Sequence, residues 1–274
     1  MVLKGVFRMD RNKHVKKNNK PLIFVLLALI IITVLIIARM MMKPETDLHV
    51  NEDSVLLTSS ATEGPTPEPT SSPTPEPVIR RGTSEPIPED IRASMQGKSM
   101  KSNASVKFDD LRYLTIPHYD FDYNVTTGHL VVAAPLAEEV LDIFAELFDA
   151  KYPIERMELI DKYNADDFTS IEYNNTSAFN YRPVSTGTGK LSNHAFGRAI
   201  DINPQQNPYV YSNGTGAHEN AREFWKRDIS KWSREIDRAA YIGNDTVIYR
   251  IFKKYGWTWG GDWSSAKDYQ HFEK

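Results

Sequence analysis

The sequence contains no cysteine, which excludes a disulfide framework, a thiol nucleophile, an iron–sulfur cluster, a thiolate zinc site and a lipidated-cysteine anchor. Nor is there an excess of basic charge in residues 91–274, where 22 Lys and Arg stand against 25 Asp and Glu. A domain so balanced does not serve mainly to bind nucleic acid. The net charge of −3 over 274 residues is itself a cancellation, because residues 1–43 carry nine Lys and Arg against one acid and residues 44–90 carry two against ten. Only the last of these three blocks is rich enough in aromatic and β-branched residues, and long enough, to bury a core.

Long apolar runs are also scarce, with one exception. Leu22 to Ala38 reads LIFVLLALIIITVLIIA, apolar on every face, and at about 1.5 Å per residue it nearly covers a hydrocarbon core about 30 Å thick. Seven Lys and Arg precede it and an acidic segment follows, so the positive-inside rule puts the N-terminus in the cytoplasm and everything after residue 43 outside. The run ends in Ala38, Arg39 and three methionines rather than a small-x-small cleavage site, which favours a retained anchor over a removed signal peptide. Eight of the sixteen prolines then fall between Ala61 and Asp90, where TPEP occurs twice. Such a segment buries too little apolar surface to offset its ordering entropy and reads as an extended spacer. The expected organisation is a cytoplasmic tail over 1–20, a transmembrane anchor over 21–42, a linker over 43–90 and a folded domain over 91–274.

Within that domain, apolar residues recur at three- and four-residue steps from Leu136 to Lys151, behind Pro135, and predict a helix. Short β-prone runs occur at 129–133, 157–160 and 199–202. Asn244 and Asp245 read as caps for a helix over 246–255 that Gly256 ends. Helices and short strands mix without a βαβ rhythm, so the expected class is α+β, a small mixed sheet with flanking helices.

Two segments carry chemistry. In SNHAFGRAIDINP, six residues separate His194 from Asp201; in GWTWGGDWSSAKDYQHFEK, Asp268 lies three residues before His271. Two neutral imidazoles and a carboxylate suit one catalytic Zn²⁺ with an open fourth position. A further carboxylate must then move the proton, and Asp268 is the candidate. The other histidines read as ordinary surface or core residues, with His118 and His218 in loops that can line a cleft. Trp257 reads as core, while Trp259 and Trp263 are left open between core and a substrate platform. Asp262 reads as a loop residue making local hydrogen bonds.

The motif SxHxxGxAxD, matched by Ser192, His194, Gly197, Ala199 and Asp201, is followed by GWxWGGDW and DxxHFE. Together they resemble the bacterial zinc peptidases of peptidoglycan stem peptides. That family includes D-alanyl-D-alanine carboxypeptidases, D-Ala-D-Ala dipeptidases and L-alanyl-D-glutamate endopeptidases. The resemblance implies that His194, Asp201 and His271 bind zinc around a cleft, and that Asp268 is the general base and acid. It further implies that Arg182 holds a substrate carboxylate or carbonyl oxygen and that Ser192 contacts substrate or supports a ligand. The expectation is a membrane-anchored, outward-facing metallopeptidase with peptidoglycan stem peptides as its partner and no nucleic acid, cutting either L-Ala–D-Glu or the terminal D-Ala. The alternative is a non-catalytic, zinc-containing wall-binding module, against which the intact Asp268 argues. Because His271 lies so near the end of the sequence, that end is expected to be held in the core.

Overall fold

The computed structural model describes residues 79–184 and 187–274. The expected tail, anchor and most of the linker lie outside the described residues. Among the described residues no helix is long and apolar enough to cross a membrane.

Order begins before residue 91. Strand β1 (Thr83–Glu85) pairs antiparallel with the later β2, with Ser84 opposite Leu114, and Ile87 is buried. Arg81 reaches Glu138 and Asp142. Residues 83–90 therefore belong to the fold rather than to the linker. Composition places them with the spacer because an edge strand is held by backbone pairing and here inserts a single apolar side chain, Ile87, between Pro86 and Pro88. Helix α1 (Glu89–Met95) follows and buries Met95.

Strands β2 (Leu111–Tyr119) and β3 (Val125–Ala133) form an antiparallel hairpin with Leu111 opposite Ala133. Its turn is closed by the Asp120 carboxylate, which accepts from the backbone N–H of Asp122 and Asn124, both at 2.9 Å. The second half of β3 is buried on both faces. Val131 packs with Met95 and Phe179, while Leu130 and Val132 face the main core.

That core is built on helix α2 (Ala137–Asp149), where Val140, Leu141, Ile143, Phe144, Leu147 and Phe148 are buried. Each such side chain contributes about 1.5–3 kcal/mol relative to exposure. The expected helix is thus present, and Pro135 sits in the 3₁₀ turn Ala134–Leu136 that leads into it. The run at 157–160 does not form one strand: β4 (Arg156–Met157) is followed by a 3₁₀ turn at Ile160–Tyr163. Helix α3 (Asp167–Glu172) then leads to β5 (Asn175–Thr176), parallel to β4.

The C-terminal half carries β6 (Ala199–Asp201), β7 (Tyr209–Val210), helix α4 (Glu235–Ala239) and helix α5 (Val247–Lys254). Strands β8 (Thr258–Trp259), β9 (Lys267–Asp268) and β10 (His271–Glu273) complete it. Asn244 and Asp245 do not cap α5. The cap is Thr246, whose hydroxyl accepts from Gly243 N–H at 3.3 Å and donates to Gly243 C=O at 2.7 Å, closing the entry turn on itself. Gly256 ends the helix with a φ of 80°, a conformation open to glycine at little steric cost.

Two small antiparallel pairings frame the site. Strand β10 lies between β6 and β8, with His271 opposite Asp201 and Phe272 opposite Trp259. In the second, β7 pairs with β9, with Tyr209 opposite Asp268. Successive side chains on a strand point to opposite faces. Phe272 accordingly enters the core, stacked 3.9 Å from Phe252, while His271 and Glu273 share the other face. The end of the sequence is held as expected: Lys274 binds Glu139 and the Tyr255 carbonyl, and its own carbonyl accepts from Arg198. The mixed α+β class stands, as several small sheets rather than one.

Candidate active site

The segment before the first histidine is shaped by its glycine and serine. Ser192 caps the 3₁₀ turn Asn193–Phe196, its Oγ accepting from His194 N–H at 3.3 Å. Gly197 follows with φ 64°, and a Cβ there would lie 2.5 Å from Ala133 N. Both its conformation and its approach to β3 require glycine. Buried Ala199, Ile200 and Ile202 then anchor the strand that carries Asp201 to the cleft.

His194, Asp201 and His271 converge, all buried, as a group able to hold a metal ion. His194 Nε2 lies 3.2 Å from Asp201 Oδ2, His271 Nδ1 lies 2.9 Å from Asp201 Oδ1, and the two ring nitrogens are 3.3 Å apart. The remaining ring nitrogens are engaged outward. His194 Nδ1 donates to the Ala178 carbonyl at 2.5 Å, and His271 Nε2 donates to Glu273 Oε2 at 2.9 Å. With those protons assigned outward, neutral imidazoles present two lone pairs to each other and to a carboxylate. In that neutral state, reached once the extra proton of the metal-free site is released, the donor set fits a cation.

Without an ion, the same groups respond to one another. Burial opposes ionisation of Asp201, but the His194 and His271 imidazoles hold its carboxyl far below the usual range. Burial also opposes charge on His271, yet its hydrogen bonds to Asp201 and Glu273 raise it to about 10. Asp268 behaves oppositely: burial and the nearby Asp201 charge push it up to about 7, against the pull of His271 and Arg182. Its Oδ1 is buried with no hydrogen-bond partner. An orphaned carboxylate oxygen costs stability and suits a group that must exchange a proton.

These residues line a cleft of about 910 Å³. Arg182 and Ser192 are on its wall, with the Arg182 Nε in an ion pair with Asp167. Trp263 is partly exposed, its ring 5.6 Å from that of His271. Trp257 is core, as expected, and Trp259 proves to be core as well. Asp262 is exposed and reaches helix α5, accepting from Tyr249 and pairing with Lys253, rather than bonding within its own loop. His118 is buried against the Ile116 carbonyl and does not line the cleft. His218 does line it, its ring tilted against that of Phe168 with centroids 4.2 Å apart.

Glu273, Asn193 and Asp167 were not singled out by sequence reasoning. Asn193 donates to Glu273 Oε2 at 2.7 Å and so steadies the acceptor that orients His271. The i, i+2 spacing of His271 and Glu273 was the available signal, because a strand puts such a pair on one face.

A buried His–Asp–His group able to hold a metal ion thus stands beside a fourth carboxylate, Asp268, in an open cleft. Residues 186–274 match the model of the D-alanyl-D-alanine carboxypeptidase family, zinc peptidases of the kind the motifs resemble. The match takes in His194, Asp201, Asp268 and His271, while Arg182 and Asp167 lie before it. No solved structure matches the chain.

Proposed function

We propose that the protein is a zinc metallopeptidase that hydrolyses an amide bond in peptidoglycan stem peptides, either L-Ala–D-Glu or the terminal D-Ala. The observation that carries this reading is the convergence of His194 Nε2, His271 Nδ1 and the Asp201 carboxylate beside the unpartnered Asp268 Oδ1. His194, Asp201 and His271 would hold the ion. Once bound, zinc supplies an acidified water and a Lewis acid for the scissile carbonyl. Asp268 takes the proton from the attacking water and passes it to the departing amine, a role suited to a carboxyl drawn up towards neutrality. Arg182, on the cleft wall, donates to an oxygen of the substrate and steadies charge that develops there. Ser192 keeps the His194 turn in place through its cap.

The location belongs to the same proposal. The charge asymmetry around Leu22–Ala38 supports a single-pass anchor with a cytoplasmic N-terminus, and the proline-rich linker supports a catalytic domain held outside the cell at some distance from the lipid.

The test is incubation of the purified, zinc-loaded protein with defined muropeptides, followed by mass spectrometry of the products. Cleavage at one stem-peptide amide, lost in Asp268→Asn, is the expected result. Failure to cut any stem peptide would remove the peptidase reading.

A further inference from the structure

Arg227 is a cation whose hydrogen bonds all go to neutral oxygens. Its Nη1 donates to the Gln206 carbonyl, and its Nη2 donates to Asn207 Oδ1 at 3.2 Å and to the Ile242 carbonyl at 2.7 Å. The Nε is buried with no partner, and burial pushes the guanidinium down to about 10. The guanidinium carbon lies 4.3 Å from the ring centres of both Tyr241 and Tyr269. The backbone of Arg227 is in the left-handed region, with φ 55°. An enclosed cation and a strained backbone are both costly, and they persist where the surrounding contacts over-determine them.

Those contacts converge on the segment that carries Asp268. Its Oδ1 is buried without a hydrogen-bond partner, so the place of this carboxylate follows from its backbone. Strand β9 is only two residues long, and its partner is β7, with Tyr209 opposite Asp268. Arg227 grips both sides of that pairing. Gln206 and Asn207 lead into β7, and Tyr269 follows Asp268, its N–H bonded to the Pro208 carbonyl at 3.4 Å. The Trp259 indole N–H holds the Tyr269 carbonyl at 2.8 Å, and Arg227 holds the ring. A desolvated cation over an aromatic face is held more strongly than one in water. The metal-holding residues are fixed by other segments. His271 sits in β10 between β6 and β8, His194 Nδ1 donates to the Ala178 carbonyl, and Asp201 exchanges two backbone hydrogen bonds with Ser177.

We infer that Arg227 is a positioning residue: through the Tyr269 ring and the loop before β7 it sets where the Asp268 carboxylate stands relative to His194, Asp201 and His271. The inference rests on the peptidase reading and goes beyond it, since Arg227 does not line the cleft. Loosening this clamp impairs proton transfer and leaves the metal-holding group in place.

The test uses the full-length, zinc-loaded protein and the stem peptide that the wild type cuts. Tyr269→Leu removes the ring face, Tyr269→Phe keeps it, and Arg227→Met removes the cation. Tyr269→Leu and Arg227→Met are each expected to lower kcat about tenfold or more, the scale of a displaced catalytic group, with KM nearly unchanged. Tyr269→Phe should recover most of that loss. The double variant of Arg227→Met with Tyr269→Leu should fall little below the worse single variant, because one contact cannot be removed twice. Zinc affinity, from chelator competition, should change by less than about tenfold, the least expected when a ligand loses its support. Leu147→Ala, on the core face of α2, controls for lost stability: urea unfolding should show it destabilised, with kcat kept. Unchanged kcat in Tyr269→Leu, zinc affinity that falls in step with kcat, losses that multiply in the double variant, or an equal kcat loss in Leu147→Ala overturns the inference and leaves the peptidase reading intact. If Arg227→Met does not fold, Tyr269→Leu against Tyr269→Phe decides the matter. A wild type that cuts no stem peptide overturns both.

Discussion

His271 gives its Nε2 proton to Glu273, 2.9 Å away on the same face of one strand. That bond turns Nδ1 towards Asp201 and His194, and it sets which nitrogen is free to bind a metal. Glu273→Ala is therefore expected to weaken zinc affinity about 10- to 100-fold, the usual cost of losing such an outer partner. Glu273→Gln retains an acceptor oxygen and should lose less. Chelator competition measures both, and unchanged affinity in the alanine variant would place the orienting role elsewhere.

Asp268→Asn separates metal binding from proton transfer. The variant should keep stoichiometric zinc, because Asp268 is outside the converging donor set. Its kcat should fall by about 10²–10⁴, the range typical of a lost general acid–base group. Near-normal turnover would transfer the proton-handling role to another group.

Metal affinity should depend steeply on pH. His271 stands at about 10 without an ion, so its Nδ1 carries a proton below that pH and must lose it on binding. Affinity should fall about tenfold per unit as pH drops below 10. Asp268, at about 7, adds a second dependence: below that pH it too must release a proton once a cation draws its carboxyl down, which steepens the slope. Calorimetry in buffers of different ionisation heat should find about one proton released per zinc at pH 8. Zero release would contradict a proton on His271 Nδ1 in the metal-free protein.

Gly260 packs against the strand that carries Asp268. A Cβ at this position would lie 2.5 Å from the Asp268 carbonyl oxygen and 2.8 Å from its Cβ. Gly260→Ala must push that strand aside, at about 1–3 kcal/mol by the cost of overpacking. The expected signature is a lower Tm together with a reduced kcat at nearly normal zinc content. Retained kcat would show that the position of Asp268 is not critical.

Phe272 is fully buried, stacked on Phe252 and opposite Trp259. Phe272→Ala should cost about 3–5 kcal/mol, and zinc affinity should drop with it because the neighbouring His271 shares the displaced backbone. Denaturant unfolding and chelator competition on the same preparation check the two effects together.

The elements most legible in sequence were those whose information is local. The three- and four-residue spacing from Leu136 announced α2, and Gly256 announced the end of α5. The strands β4 to β10 are two or three residues long and show no alternation to read. Their pairing depends on partners up to about seventy residues away, as with His271 and Asp201. The cap of α5 was misread for a related reason: Asn244, Asp245 and Thr246 are all competent capping residues, and only the fold of the Gly243 turn selected Thr246. Strand β1 lay hidden in a proline-rich composition because it joins the fold through backbone hydrogen bonds.

Residue type, spacing and the resemblance of the motifs pointed to the candidate donor atoms. With no cysteine in the chain, any metal site has only nitrogen and oxygen ligands to draw on, and His194, Asp201, His271 and Asp268 stand in segments short enough to recognise. Tertiary structure decided what those atoms can do. Antiparallel register brought His271 opposite Asp201, a carbonyl of a distant segment fixed the His194 tautomer, and burial beside Asp201 raised Asp268. Asp167 acquired its hold on Arg182 in the same way, through contacts between segments. Tautomer, protonation and charge pairing depend on neighbours within a few ångströms, and the chain meets those neighbours only once it is folded.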